Sequence, residues 1–214
     1  MNELTPAGAP AAMLDDRSGA DSWLDLVAAA IGLFRVLPFH EVTLEGVARA
    51  AGVEPATVEE AFPTFRDLVI AVVQVWNAER MAPIAGIAEQ HGAVAFLRGI
   101  VQSNIADPAL MRMLTATANI AATPGDPLAP MLQQLWLRFH ALVQRTLAHD
   151  IEVGREPGTM EPARGAEQLI ALYEGLQLQS MLRPAMDLLG AYDRAAVRLR
   201  EGWSTRYEAP VWDI

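Results

Sequence analysis

The chain has 214 residues, of which 52% are apolar and 20% are charged, and its formal net charge at pH 7 is −10. This composition excludes an intrinsically disordered protein, and the length predicts one long or two short domains. Cysteine is absent, which excludes disulfide bonds, thiolate catalysis and cysteine-ligated metal sites. Because no apolar run reaches about 18 residues and no secretory signal is recognisable, we expect a cytoplasmic protein with no membrane partner.

The beginning of the chain predicts a tail followed by a helix. Residues 1–20 are rich in Ala, Gly and Pro and lack periodicity, which indicates a disordered tail. A helix is expected from about Asp21 to Leu37, because Pro38 then prevents its continuation. The buried stripe of this helix is predicted to contain Leu24, Val27, Ala28, Ile31 and Phe34.

Two short helices are predicted on either side of Gly52. Thr43 is a favourable N-cap for the first, since its hydroxyl can accept a hydrogen bond from an unpaired backbone N–H. Gly52 stands where a helix ends most easily in the left-handed conformation. Pro55 suits the first position of the second helix, and Pro63 ends that helix. Two helices joined by a tight turn with glycine are the signature of a helix-turn-helix.

The rest of the chain also has helical periodicity. Thr64 and Asp67 form a capping box at the start of a fourth helix. This helix is expected to reach about Gln90, with a kink near Met81 because Pro83 and Gly86 lie inside it. Five later helices are predicted over residues 93–105, 109–121, 128–151, 163–189 and 192–207. The expected fold class is therefore all-α, with about nine helices.

The apolar packing residues between 21 and 80 resemble those of TetR-family transcriptional regulators. The matching residues are Ala29, Ala30, Phe34, Phe39, Val47, Ala48, Ala51, Gly52, Val53, Thr57, Phe62, Pro63 and Leu68. A second resemblance lies at residues 174–184, where EGLQLQSMLRP is similar to a G-L-x-L-Q-x-L-L-x-P run in the family's eighth helix. The resemblance implies a helix-turn-helix domain over residues 21–67 and a helical ligand-binding and dimerisation domain over residues 68–214.

The same resemblance implies that the helix-turn-helix contacts duplex DNA. The candidate DNA-binding residues are Thr43, Arg49, Glu54, Pro55, Thr57, Glu59, Glu60, Thr64 and Arg66. Where the family commonly has Tyr and His in the recognition helix, this chain has Glu59 and Glu60. Residues 21–67 contain three basic and eight acidic residues, so their formal charge is 3 − 8 = −5. Since cationic phosphate contacts supply most non-specific affinity, this charge argues against strong DNA binding.

An apolar small-molecule effector is a further implication of the resemblance, although the sequence does not identify the molecule. The candidate pocket residues are Trp76, Met111, Met113, Met131, Trp136, Phe139 and His140. An apolar cavity with one or two polar groups is the usual form of a small-molecule site. Aromatic and methionine residues at helical spacing are also typical of an ordinary packed core, so both interpretations stay open.

A symmetric homodimer formed through the eighth and ninth helices is also implied by the resemblance. The candidate interface residues are Leu169, Leu172, Leu176, Gln179, Arg183 and Leu199. Apolar and polar groups on neighbouring helix faces suit a large, self-complementary contact between two copies. The alternative is that these leucines pack only within one subunit.

Catalytic and metal-binding motifs are not found in the sequence. The four histidines lack the H-x-x-x-H and H-x-x-E-H spacings, and G-x-S-x-G, P-loop and G-x-G-x-x-G motifs are absent. We therefore expect neither an enzyme nor a cofactor or metal site. Two function classes stay open: a dimeric regulator that an effector releases from DNA, and a TetR-like scaffold that has lost DNA binding and binds a ligand or another regulator.

Overall fold

The computed structural model describes residues 17–205, with side chains from Ser22 onward. Residues 1–16 of the predicted tail lie outside the described residues, whereas residues 17–20 already belong to the first helix. Tyr207, the predicted end of the last helix, also lies outside them, but that helix already ends at Trp203.

The described residues form nine α-helices and no strand, which confirms the predicted all-α fold. The helices are α1 (Arg17–Val36), α2 (Leu44–Ala51), α3 (Pro55–Ala61), α4 (Phe65–Met81), α5 (Ala85–Ala106), α6 (Pro108–Ala121), α7 (Ala129–Glu152), α8 (Pro162–Leu182) and α9 (Leu188–Trp203). Short 3-10 turns occupy Phe39–Glu41 and Ala82–Ile84. None of the helices between residues 17 and 205 is long and apolar enough to cross a membrane.

The chain divides into two compact units, and the boundary falls between Trp76 and Asn77, within α4. In the first unit, α2 packs against both α1 and α3. Its core contains the fully buried side chains of Val27, Val47 and Val58. Three phenylalanines add an aromatic cluster in which the ring centroids lie 5.7 to 6.5 Å apart; these are Phe34, Phe39 and Phe65.

The second unit is built around α5, which packs against α7, α8 and α9. Phe96, Leu97 and Ile100 of α5 have at most 1% of their surface exposed. Helix α8 also packs against both α7 and α9. An apolar core in this unit includes Leu169 of α8 and Tyr192 of α9.

Helix α5 is interrupted at Gly92, where φ is +84° and a residue with a side chain would be strained. A Cβ atom at this position would also lie within 2.6 Å of both Asp150 carboxylate oxygens. Asp150 Oδ2 accepts a hydrogen bond from Ala93 N at 2.8 Å, so it caps the second half of the helix. The start of a helix at Ala93, which the sequence predicts, coincides with this interruption.

The predicted end of α8 and the predicted start of α9 are both wrong. Helix α8 ends at Leu182 rather than residue 189, because Arg183 precedes Pro184 and adopts φ −132° and ψ 77°, outside the helical region. Helix α9 begins at Leu188 rather than residue 192, because Asp187 accepts a hydrogen bond from Gly190 N at 2.9 Å and caps the helix there.

The fourth helix also differs from its prediction. Instead of kinking near Met81, α4 ends at Met81 and is followed by the 3-10 turn that contains Pro83. The segment up to Gln90, which was expected to continue this helix, is instead the first part of α5.

Candidate functional site

The helix-turn-helix consists of α2 and α3, and local interactions fix its turn. Thr43 Oγ1 accepts a hydrogen bond from Gly46 N at 3.0 Å, which confirms the predicted N-cap. Gly52 ends α2 in the left-handed conformation with φ +71°. Val53 N then donates to Ala48 O at 3.0 Å, so the turn is closed by a backbone hydrogen bond.

Two apolar residues determine which side of α3 faces the core. Val58 is fully buried, and Phe62 is 2% exposed with its ring 6.0 Å from that of Trp23. Because Val58 and Phe62 are four residues apart, they lie on the same side of α3 and its C-terminal end. Glu59 and Glu60 consequently have exposed side chains.

All nine candidate DNA-binding residues are exposed; they are Thr43, Arg49, Glu54, Pro55, Thr57, Glu59, Glu60, Thr64 and Arg66. The two threonines that cap helices nevertheless differ. The Thr64 hydroxyl donates to Asp67 Oδ2 at 2.7 Å, so its proton is already used. The Thr43 hydroxyl accepts a hydrogen bond from a backbone N–H and keeps its proton for another acceptor. Thr43 is therefore better suited than Thr64 to donate to a phosphate oxygen.

The exposed acids around α3 have no partner of opposite charge. No described residue forms an ion pair with Glu54, Glu59 or Glu60. Their charges therefore act on any molecule that approaches this surface, screened only by water and salt over about 8–10 Å.

Trp76, one of the candidate pocket residues, belongs to the first unit. It is 3% exposed, and the guanidinium carbon of Arg35 lies 5.3 Å from the centroid of its ring. This distance is within the range of a cation–π interaction.

The other six candidate pocket residues belong to the second unit. Met111 and Met113 of α6 are buried, and four residues of α7 are half-buried: Met131, Trp136, Phe139 and His140. Two of the six meet at Tyr173 of α8, a residue the sequence reasoning missed. The Tyr173 hydroxyl lies 3.6 Å from Met111 Sδ, and the Tyr173 and Phe139 ring centroids are 6.2 Å apart.

A chain of hydrogen bonds extends from Tyr173 to Arg80. Asn104 Nδ2 donates to the Tyr173 hydroxyl at 3.0 Å, and Arg80 Nη1 donates to Asn104 Oδ1 at 2.8 Å. Arg80 Nη2 donates to Asn77 Oδ1 at 2.6 Å. Burial raises the pKa of the Tyr173 hydroxyl, which therefore keeps its proton at neutral pH. We call Arg80, Asn104, Tyr173 and the nearby Gln177 the Arg80 cluster.

Two polar atoms of the Arg80 cluster lack a partner. They are Arg80 Nε and Gln177 Nε2, the only buried side-chain nitrogen or oxygen atoms in the described residues without a hydrogen bond. Gln177 as a whole is only 2% exposed. Buried polar groups are nearly always hydrogen-bonded in folded proteins, so two such donors in one region are unusual. The sequence signal for this cluster is the presence of Asn104 and Gln177 within otherwise apolar helix faces.

Two open clefts lie elsewhere, and none of the candidate pocket residues lines either. A cleft of about 370 Å³ in the first unit is bounded by Leu33, Glu41 and Arg49. A second, of about 330 Å³, is bounded by three arginines of the second unit. Each of these arginines pairs with a carboxylate: Arg98 with Asp193, Arg155 with Asp150, and Arg200 with Glu156, at 2.7 to 2.8 Å. Their charges are balanced, which indicates a structural role.

The candidate dimer residues are not all at the surface. Leu169 is fully buried in the core of its own chain and must be removed from the predicted interface, because its side chain cannot reach a second copy. Gln179 and Arg183 are exposed, and three others are half-buried: Leu172, Leu176 and Leu199. Three large apolar residues that were not predicted are more exposed; these are Leu178 (50%), Leu182 (76%) and Val197 (54%). Leu178 and Leu182 are one helical turn apart, so they form an apolar strip on α8.

Comparison with solved structures identifies the architecture. A transcriptional regulator from Rhodococcus sp. Rha1 matches at a TM-score of 0.69 and 20% identity, over 86% of this chain and 98% of that one. SmeT of Stenotrophomonas maltophilia, in complex with triclosan, matches at a TM-score of 0.66 and 19% identity. The match covers 89% of this chain and 98% of that one. The fold is TetR-like.

A third structure is FadR from Thermus thermophilus, a TetR-family transcriptional repressor in complex with lauroyl-CoA. It matches at a TM-score of 0.59 and 21% identity, over 88% of this chain and 98% of that one. No family model matches the sequence, and no curated protein is similar to it. The TetR-type fold thus rests on three-dimensional similarity together with the sequence resemblance of residues 21–80.

Metal-ligating side chains do not cluster in the described part of the chain. No group of three or more His, Asp or Glu side chains between residues 22 and 205 is arranged to hold a metal ion.

Proposed function

We propose that this protein is a dimeric, ligand-controlled transcriptional regulator that binds duplex DNA through α2 and α3. The observation that carries the proposal is the exposed face of α3, held outward by the burial of Val58 and Phe62. A short helix fixed in this way can place its side chains in a major groove while its own core contacts stay intact. The TetR-type fold of known repressors supports the same function.

DNA binding through the helix-turn-helix of α2 and α3 would depend on few contacts between cationic side chains and phosphates. Thr43, Thr57 and the backbone can donate to phosphates without charge, and a glutamate can accept a hydrogen bond from cytosine N4. Glu54, Glu59 and Glu60 repel the phosphates at the same time. We therefore propose that specificity comes from direct contacts with bases, with weak non-specific affinity.

The dimer in this proposal forms through α8 and α9. Leu178 and Leu182 supply exposed apolar surface on α8, and Val197 supplies it on α9. Two copies that bury these side chains against each other would gain hydrophobic free energy of about 25 cal/mol per Å². A two-fold axis would also present two recognition helices to the two half-sites of one operator.

Effector control in this proposal lies in the second unit. Helix α7 carries four half-buried candidate residues, and Phe139 contacts Tyr173 of the Arg80 cluster. An effector that binds there would stabilise one arrangement of the helices and thereby change DNA affinity.

A second candidate function is a TetR-like scaffold that no longer binds DNA. The observation that favours it is the group of unpaired acids at Glu54, Glu59 and Glu60. The two functions are distinguished by fluorescence anisotropy with labelled duplexes that tile the region upstream of the gene. Saturable binding to one fragment, at least about tenfold tighter than to a scrambled duplex, would support the regulator. Equal or undetectable binding to every fragment at low salt would contradict the regulator and favour the scaffold.

A further inference from the structure

The Arg80 cluster carries an inference about the chemistry of the effector, and this inference rests on the proposed ligand-controlled function. Arg80 donates only to neutral acceptors, the amide oxygens of Asn77 and Asn104 and the sulfur of Met111 at 3.9 Å. No carboxylate in the described residues lies within ion-pair distance of it. The half-buried guanidinium therefore retains an unbalanced positive charge.

The two unpartnered donors belong to the same region. Gln177 follows Tyr173 by four residues on α8, so the two side chains lie on the same helix face with Cβ atoms about 5–6 Å apart. Tyr173 is connected through Asn104 to Arg80 by the hydrogen bonds described above. Arg80 Nε thus lies at one end of this hydrogen-bonded chain, and Gln177 lies one helical turn from Tyr173 at its other end.

The surroundings of these donors are apolar on one side. Met111 lies against the Tyr173 hydroxyl, and the Phe139 ring is tilted against the Tyr173 ring. The methionine side chain is unbranched and flexible, so it can adapt to an aliphatic chain. Glu174, which follows Tyr173 on α8, is half-buried and forms no ion pair with Arg80. Burial raises the pKa of Glu174 above its ordinary value.

We propose that the effector is an amphipathic monocarboxylate, whose carboxylate accepts hydrogen bonds from Arg80 Nε and Gln177 Nε2 and whose apolar chain packs against Phe139 and Met111. One negative charge balances the one unpaired positive charge of Arg80. A dianion such as a phosphate monoester would leave a net negative charge in a partly desolvated site, and a cation would be repelled by Arg80. The carboxylate supplies the acceptors that the two donors lack.

The test uses isothermal titration calorimetry on the full-length protein without DNA. The probes are octanoate, decanoate and dodecanoate, each compared with the alcohol of the same chain length. We expect at least one carboxylate to bind at least tenfold more tightly than its matched alcohol. Equal binding of acid and alcohol, or no binding of any of the three acids, would overturn the proposal.

Variants at Gln177 locate the binding site. Gln177→Glu replaces the unpartnered amide donor with a carboxylate, and it should weaken binding of the acid at least tenfold while changing binding of the alcohol less than twofold. Gln144→Glu makes the same change at an exposed position of α7 and should have no effect. If Gln177→Glu does not fold by circular dichroism, Gln177→Leu removes the donor without adding charge and should weaken binding of the acid severalfold. Unchanged binding of the acid in the folded variant would overturn the assignment.

The outcome is independent of DNA binding. Carboxylate binding by a protein that binds no upstream DNA would contradict the proposed regulator and leave the ligand site intact. Specific DNA binding by a protein that binds none of the three acids would contradict the ligand class and leave the regulator intact.

Discussion

The two units of the chain have opposite electrostatic character at their candidate sites. The helix-turn-helix surface of the first unit has three exposed acids, Glu54, Glu59 and Glu60, without ion-pair partners among the described residues. The Arg80 cluster of the second unit has a half-buried cation without one. An exposed unpaired charge is stabilised by water, whereas a buried one is stabilised by a bound counter-charge. In the proposed function, the acids tune the approach of DNA, and Arg80 selects a ligand.

The largest expected effect concerns a buried charge that is paired. Asp150 is 1% exposed, pairs with Arg155 at 2.8 Å and caps the second half of α5 through Ala93 N. Asp150→Ala would leave Arg155 and the Ala93 N–H without this partner and should reduce the free energy of unfolding by about 3–5 kcal/mol. Urea denaturation followed by circular dichroism measures it.

Arg80→Met provides the matched comparison, because it removes a cation that has no carboxylate partner. We expect the free energy of unfolding of Arg80→Met to fall by less than about half of the fall in Asp150→Ala. An equal loss in both variants would mean that Arg80 is as important structurally as the paired Asp150, which would weaken its assignment to ligand binding.

A second prediction concerns the dimer. Leu178→Arg places a charge on the apolar strip of α8 without disturbing the core of one chain, since Leu178 is half exposed. It should raise the dimer dissociation constant at least about 100-fold, because the charge would be buried without a partner. Multi-angle light scattering measures the mass, and Gln144→Arg on the exposed side of α7 is the control. A monomeric wild-type protein at micromolar concentration would contradict the proposed dimer.

The parts of the fold that are determined by residues close together in the sequence could be predicted from it. The cap at Thr43, the end of α2 at Gly52 and the start of a helix at Ala93 each follow from a residue type with one strong local preference. The end of α8 was missed although Pro184 signals it, because apolar residues continue as far as Leu189. In that segment the apolar periodicity favours a continued helix, whereas the proline ends it.

The candidate sites were less predictable, because their geometry is set by residues far apart in the sequence. Arg80 and Asn104 are 24 positions apart, and Asn104 and Tyr173 are 69 apart, so no local pattern connects them. Helix α8 has apolar residues on several faces. Its periodicity therefore could not show that Leu169 faces the core and Leu178 the surface.

A third prediction concerns the acids of the first unit. Glu59→Tyr with Glu60→His removes two negative charges per subunit and introduces the residue types common at these positions in TetR-family regulators. We expect non-specific DNA affinity to rise about tenfold at low salt, and less at physiological salt, because salt screens the repulsion that is removed. Anisotropy titrations with a scrambled duplex measure it. A double change at other exposed acids, Glu152→Gln with Glu161→Gln, is the control.

The smallest expected effect is a pH dependence at Glu174. Because burial raises the pKa of Glu174, folding favours its protonated form. Its contribution to stability is therefore greatest below the pKa of an unfolded glutamate, about 4.3, and is lost as the pH rises through the folded pKa. Glu174→Gln should remove this part of the pH dependence, by less than about 1 kcal/mol since the side chain is only half-buried. Thermal unfolding at pH 4 and pH 7 detects it, and a larger loss of stability toward acid pH in wild type than in the variant would reverse the assigned sign.

The salt dependence of specific DNA binding tests the proposed function most directly. Residues 21–67 contain three arginines, so a dimer can neutralise at most six phosphates with them, and the acids oppose this. The slope of log K against log salt should therefore be shallower than about −5, with clear preference for one upstream fragment over a scrambled duplex. A slope steeper than −5, with nanomolar binding at physiological salt, would contradict the conclusion that the acidic surface limits phosphate contact.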